Sequence, residues 1–233
     1  MSKLKNFFLK RLENKFRAPR IWSNKELKKI STLFTGGVLN VSAWKDQDKE
    51  GMFYRSYFSN SSSYTISNWR ESERGSSKIL KDNEIVIDLE GQIEDKFLEK
   101  FDTVLNHTTL EHTFDVFNSF KNLCRLSSDT VIIIVPFLQE VHFDNDFGDY
   151  WRFTPQSILK LFKKNNFELT YINFNDNKVS SIYIIAVGCK SKSKYKNQIK
   201  NIKDNKVNDV MKIKPGKFII SNNPLLNLVK KIF

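Results

Sequence analysis

Two strand-like runs near the C-terminal end constrain the fold more than any other feature of this chain. E-L-T-Y-I-N-F (168–174) and S-S-I-Y-I-I-A-V-G (180–188) are rich in β-branched and aromatic residues, and only a short connection that begins with the polar N-D-N-K lies between them. A parallel pair needs a crossover of roughly a dozen residues or more, so these two strands must run antiparallel. Upstream, apolar runs at Val38–Ser42, Tyr64–Ser67, Glu84–Asp88, Phe101–Asn106 and Thr130–Val135 are far enough apart for crossover units. Between the last two of these lies H-T-F-D-V-F-N-S-F-K-N-L-C-R-L, with Phe114, Phe117, Phe120, Leu123 and Cys124 at helical spacing on one face. Strands alternating with helices predict an α/β fold, doubly wound, with seven mostly parallel strands and a C-terminal antiparallel hairpin that sets 181–188 beside 168–174.

Charge is distributed unevenly over this plan. Of the net +12, residues 1–30 carry +8 and residues 190–233 carry +10, whereas 31–189 carry −6. Three regions are therefore expected: a basic amphipathic N-terminal helical extension (1–30), the α/β domain (31–189), and a Lys-rich tail (190–233) that is flexible or loosely helical to about Lys214. S-N-K-E-L-K-K-I reads as a short helix capped by Ser23 or Asn24. At the N-terminus Leu4, Phe7, Phe8, Leu12 and Phe16 recur at helical spacing among Lys and Arg, and Leu225 and Leu226 sit beside lysines in the tail. Such faces suit an anionic membrane surface as partner, or packing on the chain's own domain. No run approaches the roughly 18 apolar residues needed to span a bilayer, and no secretory signal is visible. Cys124 and Cys189 show no metal-ligand spacing, no other metal ligands stand out, and two cysteines make no disulfide framework. The expected location is cytoplasmic, peripheral at the inner face of the cell membrane.

Ligands of a doubly wound sheet bind beyond the carboxyl ends of its strands, so the residues closing each strand carry the functional reading. The run after the fifth strand is the most distinctive. In H-F-D-N-D-F-G-D-Y-W-R-F-T-P (142–155), Thr154 and Pro155 simply start a helix. Asp149 and Arg152 form a natural ion pair that would hold Tyr150 and Trp151, whose rings suit sugar or nucleoside faces.

Taken together, I-D-L (87–89), F-D-T-V-L-N (101–106), T-L-E-H (109–112), I-V-P-F (134–137), His142 and D-Y-W-R-F-T-P (149–155) resemble the class I S-adenosylmethionine-dependent methyltransferases. The nearest likeness is to small methyltransferase-like proteins of surface-glycan biosynthesis, over about residues 37 to 189. That resemblance implies a Rossmann-like sheet and S-adenosylmethionine as cofactor. It implies an Asp88 carboxylate on the adenine amino group, Leu89 beside the ring, and Asn106 to Leu110 lining the cofactor, with Glu111 opening the next helix. His142 and His112 become the candidate bases, and Asp149, Tyr150, Trp151 and Arg152 the acceptor side.

The chain departs from the family pattern in two places. Asn40 stands where the first strand ordinarily ends in an acid, and Ser42, Ala43 and Trp44 occupy the usual Gly-x-Gly turn. Asn68 stands where an acid usually binds the ribose hydroxyls, giving up the extra strength of a charged acceptor. Two readings therefore stay open. One is methyl transfer to a hydroxyl or similar acceptor, a small molecule or a glycan or cell-envelope precursor. The other is a catalytically inactive methyltransferase-like binding or scaffold protein at a membrane surface or in an assembly. Nucleic acid is not an expected partner, because no N-P-P-Y-like motif follows the fourth strand.

Overall fold

The computed structural model describes residues 19–69, 84–145, 147–175 and 181–210. Seven strands form one sheet: β1 (Gly37–Val41), β2 (Ser63–Asn68), β3 (Glu84–Val86), β4 (Phe101–His107), β5 (Ser127–Leu138), β6 (Glu168–Phe174) and β7 (Ile182–Cys189). Their order is β3-β2-β1-β4-β5-β7-β6. The first five pair parallel, and β7 runs antiparallel to both β5 and β6. The expected hairpin is present, folded back so that its second strand lies inside the sheet and β6 takes the edge.

Both faces of the sheet are covered, which is why its strands are apolar at successive positions rather than alternately. On one face, helices α2 (Val116–Leu126) and α3 (Pro155–Lys164) bury Val116, Phe120, Leu123, Ile158 and Phe162 against Leu39, Val104, Val131, Ile133 and Ile172. The other face carries helix α1, over residues 19–31, together with a 3-10 turn (Tyr54–Phe58) and the short α4 (Lys196–Lys200). Leu27, Ile30, Phe58, Tyr195 and Ile199 pack there on Val38, Leu105, Ile132, Ile134 and Ile185. Helix starts follow local chemistry. Asp115 accepts from the Asn118 N–H at the start of α2, and Thr154 and Ser157 form a capping box ahead of α3 with Pro155 in its first turn.

Three expectations need correction. Ser23 and Asn24 do not cap a helix, because α1 runs through both; each is buried, and Ser23 Oγ donates to the Arg20 carbonyl (3.0 Å). Phe114 and Phe117 are 70% and 59% exposed, so the buried stripe of α2 is Val116, Phe120, Leu123 and Cys124 instead. The packed body is also wider than 31–189. Residues 19–31 and 190–210 supply Leu27, Ile30, Tyr195, Ile199 and Val210 to the core. The apolar positions Leu4 to Phe16, and Leu225 and Leu226, lie outside the described residues.

Tyr195 shows how the C-terminal segment is tied down. Its ring meets Phe34 edge-on at 5.0 Å, and its hydroxyl accepts the backbone N–H groups of Thr35 (3.2 Å) and Gly36 (3.0 Å) just before β1. Tyr195→Phe keeps the ring but leaves those two N–H groups without that acceptor, at a cost of about 1–3 kcal/mol. A lower urea midpoint at unchanged slope is expected; an unchanged midpoint would show the hydroxyl to be dispensable.

Candidate functional site

After β3 the chain returns to the middle of the sheet and lays β4 beside β1. The strand order reverses there, and the crevice at the carboxyl ends of β1 and β4 is the natural ligand position. The turn leaving β1 lines it. Ser42 and Trp44 hold φ values of 56° and 51°, the left-handed conformation that glycine adopts without steric cost. The turn is thus left-handed at two positions without glycine, at a strain of order 1 kcal/mol for each residue.

Neighbouring side chains hold this strained turn in place. The Asn68 amide accepts the Trp44 N–H (2.8 Å) and donates to the Trp44 carbonyl (3.3 Å) and to Glu84 Oε1 (2.6 Å). Ala43 N–H donates to the Ser67 carbonyl (2.9 Å). Asn40 is buried and donates to Asp46 Oδ1 (2.9 Å), which also accepts the Tyr64 hydroxyl (2.7 Å), while Asp46 Oδ2 accepts the Arg55 N–H (3.1 Å). Burial pushes the Asp46 carboxyl up, against these hydrogen bonds. Asp48 gathers the N–H groups of Glu50 and Met52 and the Tyr57 hydroxyl. The loop is therefore wrapped around two buried aspartates, and Asn40 and Asn68 act as internal braces.

Farther along the edge, Asp88 follows β3 and is exposed, with Oδ1 accepting the Glu90 N–H (2.9 Å). Leu89 points its side chain into the core, and its carbonyl accepts from Asn122 (2.9 Å). Asn106, at the β1–β4 junction, donates to the Val41 carbonyl (3.2 Å). Its Oδ1 is buried and has no hydrogen-bond partner among the described residues.

The segment between β5 and α3 crosses this edge as a strap, and the Asp149–Arg152 pair anchors it. Arg152 Nη1 and Nη2 meet Asp149 Oδ1 and Oδ2 at 2.6 and 2.7 Å, a bidentate fork. Arg152 also donates to the carbonyls of Gln139 (3.3 Å) and Glu140 (3.2 Å), and Asp149 Oδ2 accepts the His142 N–H (2.8 Å). Burial opposes the Asp149 charge, yet Arg152 and the His142 N–H hold its carboxyl down at about 2. Tyr150 is exposed and Trp151 is partly buried against the core; the two rings meet Phe114 (5.4 Å) and Phe117 (6.3 Å) edge-on, and the indole N–H donates to the Phe114 carbonyl (3.2 Å). Those two phenylalanines are exposed because they complete an aromatic patch with the strap.

Under the strap lie Glu111 and His112, in a 3-10 turn (Leu110–His112), with His142 beside them. The two imidazole rings meet edge-on at 4.9 Å. His112 Nδ1 lies 2.6 Å from the Gly148 carbonyl, which can only accept, so Nδ1 carries the proton and Nε2 keeps its lone pair. Burial pushes the His112 pKa down. Glu111 is fully buried, and neither carboxylate oxygen has a hydrogen-bond partner among the described residues. Burial pushes its carboxyl up from 4.5 to about 7, against the pull of the Arg20 charge.

Several residues at this edge carry no sequence signal of their own. Arg20 reaches from α1 to His107 Nδ1 (2.7 Å) and lies 5.8 Å from the Tyr183 ring centre. Arginine can only donate, so His107 Nε2 carries the proton and faces Ser23 Oγ (3.2 Å). Burial, and then Arg20, push the His107 pKa well down and keep that ring neutral. The sequence assigned Arg20 to an extension; only the packing of α1 on the sheet brings it here.

No family model matches this sequence, and no curated protein matches it significantly. Solved structures do match its fold. One is the Burkholderia thailandensis 1,6-didemethyltoxoflavin-N1-methyltransferase with bound 1,6-didemethyltoxoflavin and S-adenosylhomocysteine: TM-score 0.53 and 13% identity, over 81% of this chain and 88% of that one. The magnesium protoporphyrin IX methyltransferase of Synechocystis PCC 6803 with bound S-adenosylhomocysteine gives 0.53 and 13%, over 79% and 88%. An S-adenosylmethionine-dependent methyltransferase from Clostridium acetobutylicum gives 0.51 and 10%, over 80% and 99%. This chain has the class I methyltransferase fold.

Glu111 generates a prediction for the ligand-free protein. Its folded pKa lies above its unfolded one, so the folded state binds more protons between pH 4.5 and about 7, and stability falls as pH rises through that window. At about 1.4 kcal/mol per pH unit, the loss approaches about 3 kcal/mol by pH 8. Glu111→Gln should remove this slope and melt higher than wild type at pH 8. An identical pH dependence in both proteins would mean that the carboxylate is well solvated.

Proposed function

We propose that the chain binds S-adenosylmethionine at the carboxyl edge of β1–β4 and transfers its methyl group to a hydroxyl-type acceptor seated beneath the strap. Asn106 supports this reading most directly: its Oδ1 is a buried, unpartnered acceptor at the switch point of a methyltransferase fold. The left-handed turn at Ser42 and Trp44 and the exposed Asp88 support this reading, in which the turn would take the cofactor's amino acid part and Asp88 its adenine end. When bound, the cofactor supplies an electrophilic methyl on a sulfonium. The protein's share is positioning and proton removal. His112 presents Nε2, and His142, 38% exposed at its side chain, borders the strap from the acceptor side. A sugar or cell-envelope precursor suits the half-exposed Tyr150 ring beside the partly buried Trp151.

A second reading, a binding or scaffold protein that has lost the cofactor, is favoured by one observation. The Asn68 amide, at the expected ribose position, is already engaged by Trp44 and Glu84. Calorimetric titration with S-adenosylhomocysteine decides between the two. Saturable binding is expected, with Asp88→Ala binding more weakly while its melting temperature is unchanged. No heat at millimolar ligand would remove the enzyme reading and leave the scaffold.

Among the described residues no helix is long and apolar enough to cross a membrane. Peripheral attachment through the basic ends, +8 over 1–30 and +10 over 190–233, belongs to the same proposal. The full chain should co-sediment with anionic liposomes at low salt and release at high salt. Sedimentation that ignores salt, or none at all, would refute electrostatic attachment.

A further inference from the structure

Glu111, His112 and His142 can each offer one ligand atom, and those atoms all lie within 4.8 Å of one another. From this geometry we infer that the three residues form a binding site for one divalent transition-metal ion, with Zn2+ the best match to the ligand set. Two imidazoles and one carboxylate make a three-ligand site that leaves at least one position open. The burial pattern points to a cation independently of that spacing. Both Glu111 oxygens are buried without a hydrogen-bond partner among the described residues, and Oε1 lies 3.9 Å from His112 Nε2. The nearby guanidinium groups are engaged elsewhere, Arg152 by Asp149 and Arg20 by His107. Once Glu111 gives up its proton, its buried carboxylate beside two imidazole lone pairs is a set of acceptors that a bound cation completes.

The surrounding groups orient both rings for this role. The Gly148 carbonyl takes the Nδ1 proton of His112, which leaves Nε2 as the ligand atom facing Glu111. A Cβ at Gly148 would fall 2.2 Å from the Tyr150 ring, so a larger residue there would have to displace that exposed side chain. His142 repeats the pattern: its Nδ1 lies 3.4 Å from Asp149 Oδ2, whose carboxylate Arg152 holds still. The Gln139 amide also faces that Nδ1, at 3.3 Å through Nε2. Turning this amide over would bring Oε1, otherwise buried without a partner, within reach of the same proton. Bonds of about 2.1 Å at tetrahedral angles put ligand atoms roughly 3.4 Å apart, so a small inward movement of these side chains closes the shell.

Ion binding stands apart from the methyl-transfer reading, because it needs no S-adenosylmethionine. A consequence does rest on that reading: with the ion bound, an acceptor hydroxyl would occupy the open position and lose its proton to water, and the histidines would hold the ion rather than take that proton.

The test uses the full chain, stripped with EDTA, dialysed and titrated calorimetrically with Zn2+, followed by Co2+ absorption spectroscopy. One ion per chain is expected, with Co2+ bands of low coordination number and no thiolate charge-transfer band. His142→Ala, a change in the partly exposed strap, and Glu111→Gln should each weaken binding by roughly 100-fold or more. Zn2+ should raise the melting temperature of wild type but not of Glu111→Gln, whose own fold that substitution does not threaten. Wild type without stoichiometric binding, or both variants binding as wild type does, would overturn the site. Titration with S-adenosylhomocysteine on the same preparations is read separately, so loss of the metal site and loss of the cofactor site are distinguishable.

Discussion

Six of the seven strands run in one direction, and that constraint organises the rest of the molecule. Parallel strands send every carboxyl end to the same edge, so the turns after β1, β2, β3, β4 and β5 converge there, each carrying its own polar residues. Only β7 enters from the opposite direction, which brings Tyr183 to the edge as well. Convergence alone leaves five loops; ion pairs and buried amides make them a site. The Asp149–Arg152 fork is the strongest of these, since a bidentate, largely desolvated pair fixes both position and orientation. Through it the strap is held over the crevice, and His142 comes to rest against His112.

The turn after β1 shows a different economy. Glycine is the residue that adopts a left-handed turn at no steric cost, and this chain uses Ser42 and Trp44 instead. Strain of that kind persists only when the surroundings over-determine the conformation. Here they do, through the Asn68 amide on both sides of the Trp44 peptide and through the Asp46 carboxylate tied to Asn40, Tyr64 and Arg55. The amides of Asn40 and Asn68 thus brace a left-handed turn built without glycine.

Much of the sheet was legible in the sequence, because a strand buried on both faces is written as a continuous apolar run and V-I-I-I-V has no other reading. The antiparallel hairpin followed from one short connection. What could not be read was which face a residue takes when its partner is remote. Phe114 and Phe117 fit a helical stripe, yet Tyr150 and Trp151, more than thirty positions away, draw them outward. Ser23 resembles a cap until Pro19 to Ser31 prove to be one helix against the sheet. The cluster of Glu111, His112 and His142 escaped for the same reason. Its third member arrives on a separate loop, and no local spacing announces it.

A crystal structure of the chain with S-adenosylhomocysteine tests the central assignment most directly. The adenine is expected beside Asp88, the amino acid end over the Ser42–Trp44 turn with Asn106 Oδ1 accepting from it, and the sulfur facing the strap. Ligand elsewhere on the surface, or an empty crevice at saturating ligand with Asn68 still bound to Trp44, would contradict it.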